Sequence, residues 1–184
     1  MKTAREKVLS TATRLFYKRG INSVGVDEIV KQSGVTKMTL YKHYHSKDEL
    51  AAAFLEQIYQ QWNAWFTERV AQLSERVRKP EQRVLAIFDA LEEWFQTPGF
   101  RGCPFINTVA ELADRNHPAR RVAVAFKQKL LESIHSAVQP LHHKKRDLDV
   151  QLLLLIDGAI VRATMTGSTR PARIARKAAA HLLA

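Results

Sequence analysis

The stretch from Val26 to Leu50 constrains this chain more than any other part of it. Val26, Ile29 and Val30 recur at helical spacing, Gly34 interrupts the pattern, and Leu40 and Tyr44 resume it four residues apart. Gly34 ends the first short helix because a tight turn needs a residue free to take φ > 0. Val35 then plugs the turn, and Thr36 caps the second helix. The segment predicts two short helices joined by a turn, over roughly residues 25 to 45.

The same reasoning extends in both directions. Thr3-x-x-Glu6 is a capping box that opens a first helix with its apolar stripe at Val8, Ala12, Leu15 and Phe16, and Gly20 stops it. Ser46-x-x-Glu49 is a second box, opening a long helix from about Lys47 to Arg78 that is rich in aromatic residues. Pro80 suits the first turn of a helix running to about Phe95, where Thr97-Pro98-Gly99 breaks the chain. A short helix follows Cys103-Pro104 to about Asp114, and the next spans about Ala119 to Val138.

Leu141 to Arg146 reads as an exposed basic loop. Asp147 is placed to cap a helix to about Met165, closed by Gly167, and Thr169 or Arg170 precedes a last helix from Pro171 to about Leu183. No stretch alternates in the manner of a strand. The expected class is all-α with about nine helices: an N-terminal three-helix domain over residues 1–46 and a helical bundle over 47–184.

Charge adds a function class. The 184 residues carry 29 Lys and Arg against 18 Asp and Glu, a formal +11, and residues 1–47 alone hold ten basic and three acidic side chains. A quarter of the chain thus carries +7, the concentrated positive surface that a nucleic acid requires. One cysteine, Cys103, excludes an intrachain disulfide. The first residues lack the apolar core of a signal peptide, and the strongest apolar run, Leu152 to Ile156, is far shorter than the roughly 18 residues of a membrane span. A cytoplasmic protein with no membrane partner is expected.

Packing accounts for Leu40 and Tyr44 but not for the other face of their helix. Thr36, Lys37, Thr39, Tyr41, Lys42 and His43 are all hydrogen-bonding or cationic. In a helix-turn-helix the second helix lies in the major groove, with hydroxyls and cations beside it holding phosphates. That face is the candidate DNA-binding surface.

These residues resemble the TetR family of bacterial transcriptional regulators. The resemblance rests on Leu15-Phe16, Gly20, Val26-x-x-Ile29, Ser33-Gly34-Val35-Thr36, Thr39-Leu40-Tyr41-x-His43-Tyr44 and Ser46-Lys47-x-Glu49-Leu50. Beyond about residue 55 only the helix pattern and Gly102-Cys103-Pro104-Phe105-x-Asn107 look similar. It implies that Thr36, Lys37 and Thr39 face bases or nearby phosphates and that Tyr41, His43 and Lys47 touch the backbone. Gly25 departs from the family pattern, which often has a capping Ser or Thr there.

The resemblance further implies a ligand-binding and dimerisation domain after the long helix, hence a homodimeric repressor that binds a palindromic double-stranded operator and is released by a small-molecule effector. Leu152, Ile156, Ala159, Ile160, Ile174, Ala178 and Leu182 are the expected dimer interface, an apolar surplus needing cover, unless they complete an intrachain core. Trp62, Phe66, Phe88, Trp94, Phe95, Phe105 and Phe126 are candidates to line an effector pocket, with Asn107, Glu111 and His135 as polar fixers, or they are core.

Cys103, beside Arg101 at a helix start, is either a reactive thiol or an inert packing residue. His142 and His143 have no acidic or thiol partner at ligand spacing, so no metal site and no cofactor is expected. No phosphate-binding glycine loop, His-Glu-x-x-His pair or nucleophile elbow points to an enzyme. A constitutive DNA-binding protein without effector is the alternative reading, followed by a helical enzyme whose catalytic groups are scattered over helices outside any such motif.

Overall fold

In the computed structural model, which describes residues 2–75, 77–141 and 146–184, every regular element is a helix. Thr3 opens α1 (Ala4–Arg19): its hydroxyl accepts from the Glu6 amide while Glu6 returns to the Thr3 amide, and Gly20 closes the helix. The boxed ends fix α1 without tertiary help. After it come α2 (Val26–Ser33), α3 (Lys37–His43) and α4 (Lys47–Ser74). Then follow α5 (Pro80–Phe95), α6 (Pro104–Glu111), α7 (Pro118–Val138), α8 (Leu148–Thr166) and α9 (Arg170–Leu183).

Several ends differ from the sequence expectation. At α4 the Ser46 hydroxyl accepts from the Glu49 amide, but Glu49 reaches back to the His45 amide at 2.8 Å and its ring at 2.9 Å instead of closing the box on Ser46. That helix ends at Ser74, four residues early, where the Ser74 hydroxyl bonds the Val70 carbonyl. α6 stops at Glu111 rather than Asp114, because the Arg120 guanidinium takes the Val109 and Leu112 carbonyls that a further turn would use. Asp147 precedes α8 with a left-handed backbone and makes no side-chain cap bond. Of the expected basic loop, His142, His143, Lys144 and Lys145 lie outside the described residues.

The chain divides into two compact units, and the boundary is not the one expected after residue 46. Residues 1–61 and 104–126 form one, residues 62–103 and 127–184 the other. The first unit thus adds α6 and the start of α7 to the N-terminal helices. Its core holds Val8, Ala12, Leu15 and Phe16 of α1 with Ile29, Leu40, Tyr44, Leu50 and Phe54, and Phe16 meets Phe54 edge to face at 5.6 Å.

In the second unit α5, α8 and α9 pack on one another. Val84, Leu85, Phe88 and Leu91 of α5 are buried with Leu152, Ile156 and Ile160 of α8 and Ala172, Ala175 and Ala179 of α9. Alanines along that face let the helix axes approach closely. Glu92 bonds Thr169 and pairs with Arg173, and Asp89 pairs with Arg176, which fixes α9 on α5.

Candidate nucleic-acid interface

The turn between α2 and α3 is set by Gly34, whose φ of 68° and ψ of 26° place it in the left-handed region while its amide bonds the Val30 carbonyl. A side chain there would strain the backbone. Thr36 then caps α3, accepting from the Thr39 amide at 3.1 Å, and its hydroxyl lies 2.8 Å from that of Thr39. Leu40 and Tyr44 are buried against α1 and α2, so the opposite side of α3 must face outward.

Around this helix Thr36, Lys37, Tyr41 and Lys42 are exposed, while Thr39, His43 and, at the start of α4, Lys47 are half-buried. All seven expected contact residues therefore belong to one short stretch. Sequence reasoning missed Met38, which is 82% exposed. Its position was readable: two residues before Leu40 is about 200° around a helix at 3.6 residues per turn, nearly opposite the buried side chain.

Electrostatics refine the expectation for Lys37. Its amine donates to the Asp27 carboxylate at 2.9 Å, and this hydrogen bond, with the attraction between the charges, raises the lysine pKa. Both groups are exposed, so a phosphate can replace the carboxylate as partner. On the other side Arg14 donates to Gln32, Gln32 to Glu28, and Arg19 to Glu28 and the Ser23 carbonyl, tying α1 to α2 and the loop before it. Gly25 occupies the N-cap of α2 without a side-chain bond.

The Tyr44 hydroxyl is buried without a hydrogen-bond partner, and burial raises its pKa while the Arg5 guanidinium, 5.7 Å from the ring centre, pulls it back. Asp48, in the first turn of α4, pairs at 3.2 Å with Nε2 of His117, whose Nδ1 accepts from the Ala119 amide. Residues far along the chain thus steady the frame that holds α3.

Glu111, expected to fix a ligand, is engaged elsewhere. Its two carboxylate oxygens accept from the backbone amides of Ile21 at 3.0 Å and Asn22 at 2.5 Å, and the Asn22 amide group donates to the Glu111 carbonyl. The end of α6 is therefore clamped onto the loop between α1 and α2. Nothing in the sequence pairs residue 111 with residues 21 and 22, since the partners are backbone amides.

The other expected ligand-site residues separate into two groups. Trp62 stacks on Phe66 at 4.4 Å and meets Trp94 edge to face at 5.5 Å, with Phe88 and Phe95 buried in the same unit. In the first unit Phe105 stacks on Phe126 at 3.8 Å, and Tyr59 meets Phe126 at 5.5 Å. Asn107 is exposed, and His135, also exposed, pairs with Asp149 at 2.9 Å. Cys103 is buried directly before α6. Among the described residues no group of three or more His, Cys, Asp or Glu could hold a metal ion.

The residues expected at the dimer interface fall in different environments. Leu152, Ile156 and Ile160 are buried within the chain's own core, as is Ala159. The exposed large apolar residues of α8 are Val150, Leu154 at 67%, Val161 and Met165 at 70%, and on α9 Ile174 is exposed at 55%. Between them runs a groove of about 570 Å³, lined by Leu154, Leu155, Gly158, Ala159, Ile174 and Ala178 with Arg162 and Arg170 among its polar residues. Leu182 is half-buried.

Residues 8–54 match the bacterial regulatory proteins of the tetR family, and residues 80–179 match the tetracyclin repressor-like C-terminal domain. The chain belongs to the TetR family. A TetR-family transcriptional regulator from Streptomyces coelicolor superposes with a TM-score of 0.80 at 30% identity, over 98% of this chain and 92% of that one.

Among curated relatives, the HTH-type transcriptional regulator LmrA of Bacillus subtilis is 30% identical over 64% of this chain and 61% of its own length. The HTH-type transcriptional repressor NemR of Escherichia coli K12 is 28% identical over 63% of this chain and 57% of its own length. The matched stretch thus spans about three-fifths of the length of these two relatives. The helices α2 and α3 fall inside the N-terminal match, and the groove between α8 and α9 falls inside the C-terminal one. Among the described residues no helix is long and apolar enough to cross a membrane.

Proposed function

We propose that this protein is a DNA-binding transcriptional regulator that occupies a two-fold symmetric operator as a homodimer and represses until a small molecule releases it. The observation that carries the reading is the division of α3: Leu40 and Tyr44 are buried, while Thr36, Lys37, Met38, Tyr41 and Lys42 are exposed on a module of net +7. Such a helix supplies phosphate contacts from its cations and hydroxyls and base contacts from its outermost side chains. Its site of action is chromosomal DNA in the cytoplasm.

The groove between α8 and α9 supports the second part. Its apolar lining and the outward Leu154, Met165 and Ile174 suit a second copy related by a two-fold axis, the symmetry that an inverted-repeat operator shares. The clamp from Glu111 to Ile21 and Asn22 supports the third: a ligand that shifts α6 would drag the loop that positions α2. By linkage, operator DNA must then weaken that ligand by the factor with which the ligand weakens DNA.

The test begins with selection from random duplex DNA using the full chain, followed by fluorescence-anisotropy titration of the enriched duplex across salt concentrations. Enrichment of an inverted repeat is expected. Replacing Lys42 by Ala should lower the steepness of the log–log salt dependence by roughly one per lost phosphate contact. Ile174→Glu should yield a monomer in sedimentation that binds the repeat far more weakly. Equal affinity for enriched and scrambled duplexes would refute the regulator reading, and an unaltered dimer in Ile174→Glu would refute the interface.

A further inference from the structure

We propose that Met38 is a specificity-determining residue that reads the 5-methyl group of a thymine in each operator half-site, an inference resting on the DNA-binding reading above. Met38 is the most exposed of the large apolar side chains among the described residues, at 82%, although it is surrounded by polar and cationic neighbours. It stabilises nothing in the chain's core, and an isolated thioether chain held in water gains free energy only when a partner covers it.

Its two neighbours narrow the choice of partner. The Lys37 amine is held by Asp27, and the Thr39 hydroxyl lies against that of Thr36. Both neighbours carry polar groups suited to phosphates or polar base edges, and Met38 is the side chain that projects between them with no donor to offer. Charge identifies the partner as nucleic acid, because the surrounding module carries +7 and Lys42 lies one turn further along the same helix.

On the major-groove edges of the four base pairs, one group is apolar: the thymine methyl. The bases otherwise present donors and acceptors, against which a thioether chain offers only a weak acceptor. A methionine, unbranched and polarizable, adapts its rotamers to a methyl group that approaches from a range of directions. Met38 therefore favours thymine over cytosine, adenine and guanine at one position of each half-site.

Deoxyuridine separates this contact from every other, because it differs from thymidine by that methyl alone. The probe is the duplex enriched from random DNA by the full chain, remade with single thymines replaced by deoxyuridine. Wild type, Met38→Ala, Met38→Leu and Met38→Gln are titrated against each duplex by fluorescence anisotropy.

At one thymine per half-site, deoxyuridine should weaken wild-type binding about threefold to tenfold, the worth of one buried methyl contact. Met38→Ala, which removes the contact from both half-sites of the dimer, should bind the thymine duplex weaker by about the square of that factor and be indifferent to the replacement. Met38→Leu should keep the sensitivity and Met38→Gln lose it. Because the side chain lies outside the core, these variants keep the fold, which circular dichroism checks. If an inverted repeat is enriched but no thymine loses its deoxyuridine sensitivity in Met38→Ala, this assignment is wrong and the regulator reading stands. If nothing is enriched, both fail together.

Discussion

Replacing Gly20 by Ala tests the clamp between α6 and the start of α2. Gly20 has φ 89° and ψ 159°, a region that L-residues essentially avoid, so a side chain costs about 1–3 kcal/mol in backbone strain alone. The added Cβ would also lie 2.9 Å from both Glu111 oxygens. The carboxylate is at the end of a flexible side chain and can swing away, but only by releasing the Ile21 and Asn22 amides.

Those are charge-assisted bonds, and the Asn22 amide is exposed and can rehydrate, so losing the clamp costs about 1–3 kcal/mol. The single variant should therefore lose about 2–6 kcal/mol, the sum of strain and clamp. Glu111→Ala should lose only the clamp. In the double variant the clamp is lost once, so it should be more stable than the sum of the singles predicts by about 1–3 kcal/mol. Effects of the alanine on the unfolded chain are common to both backgrounds and cancel in the cycle. Urea unfolding followed by circular dichroism measures all four proteins, and losses that add to within about 0.5 kcal/mol would show that Glu111 does not occupy the space beside Gly20.

Gly25 has an ordinary φ of −83°, and a Cβ there would meet nothing within 4 Å, so Gly25→Ser should stabilise by about 0.5–1 kcal/mol through a new cap and a stiffer unfolded chain; an unfolding midpoint at or below wild type would contradict this. Tyr44→Phe removes a buried hydroxyl without a partner and should leave stability unchanged or raise it by about 1 kcal/mol; a clear loss would reveal a bond that the hydroxyl makes in solution. Glu49 is held below the usual carboxylate range by the His45 amide and ring, Glu93 by the Arg69 guanidinium, and Asp149 by His135 and the Val150 amide. Each folded pKa lies below its unfolded value, so these groups stabilise above the ordinary carboxylate range, and that stability is lost as pH falls from that range through the lower folded values. Glu93→Gln should be less stable at neutral pH and lose less of its stability on acidification, measured as the urea midpoint at pH 7 and pH 4; an equal drop in both proteins would exclude the Arg69 pair as a cause.

Elements whose causes are local were legible in the order of residues. The boxed start of α1, the left-handed Gly34, the Thr36 cap, the buried pair Leu40 and Tyr44, and α5 from Pro80 to Phe95 all rest on residues within a few positions of one another, so spacing alone reveals them. Thr36, Lys37, Thr39, Tyr41, Lys42 and His43 were legible from their polarity, and Met38 was not, because an apolar side chain in a helix reads as core.

Tertiary structure alone decided the rest. Glu111 is bound to backbone amides about ninety residues earlier, and backbone groups leave no trace in residue type. Lys37 meets Asp27 only because the Gly34 turn brings α3 back beside α2. On α8, Leu152 to Ile156 is apolar in every direction, so periodicity could not say which side enters the core. Packing of α5 and α9 chose Leu152, Ile156 and Ile160 for the interior and left Leu154 and Met165 outside, because a helix with apolar groups all round takes its orientation from its neighbours and not from its own sequence.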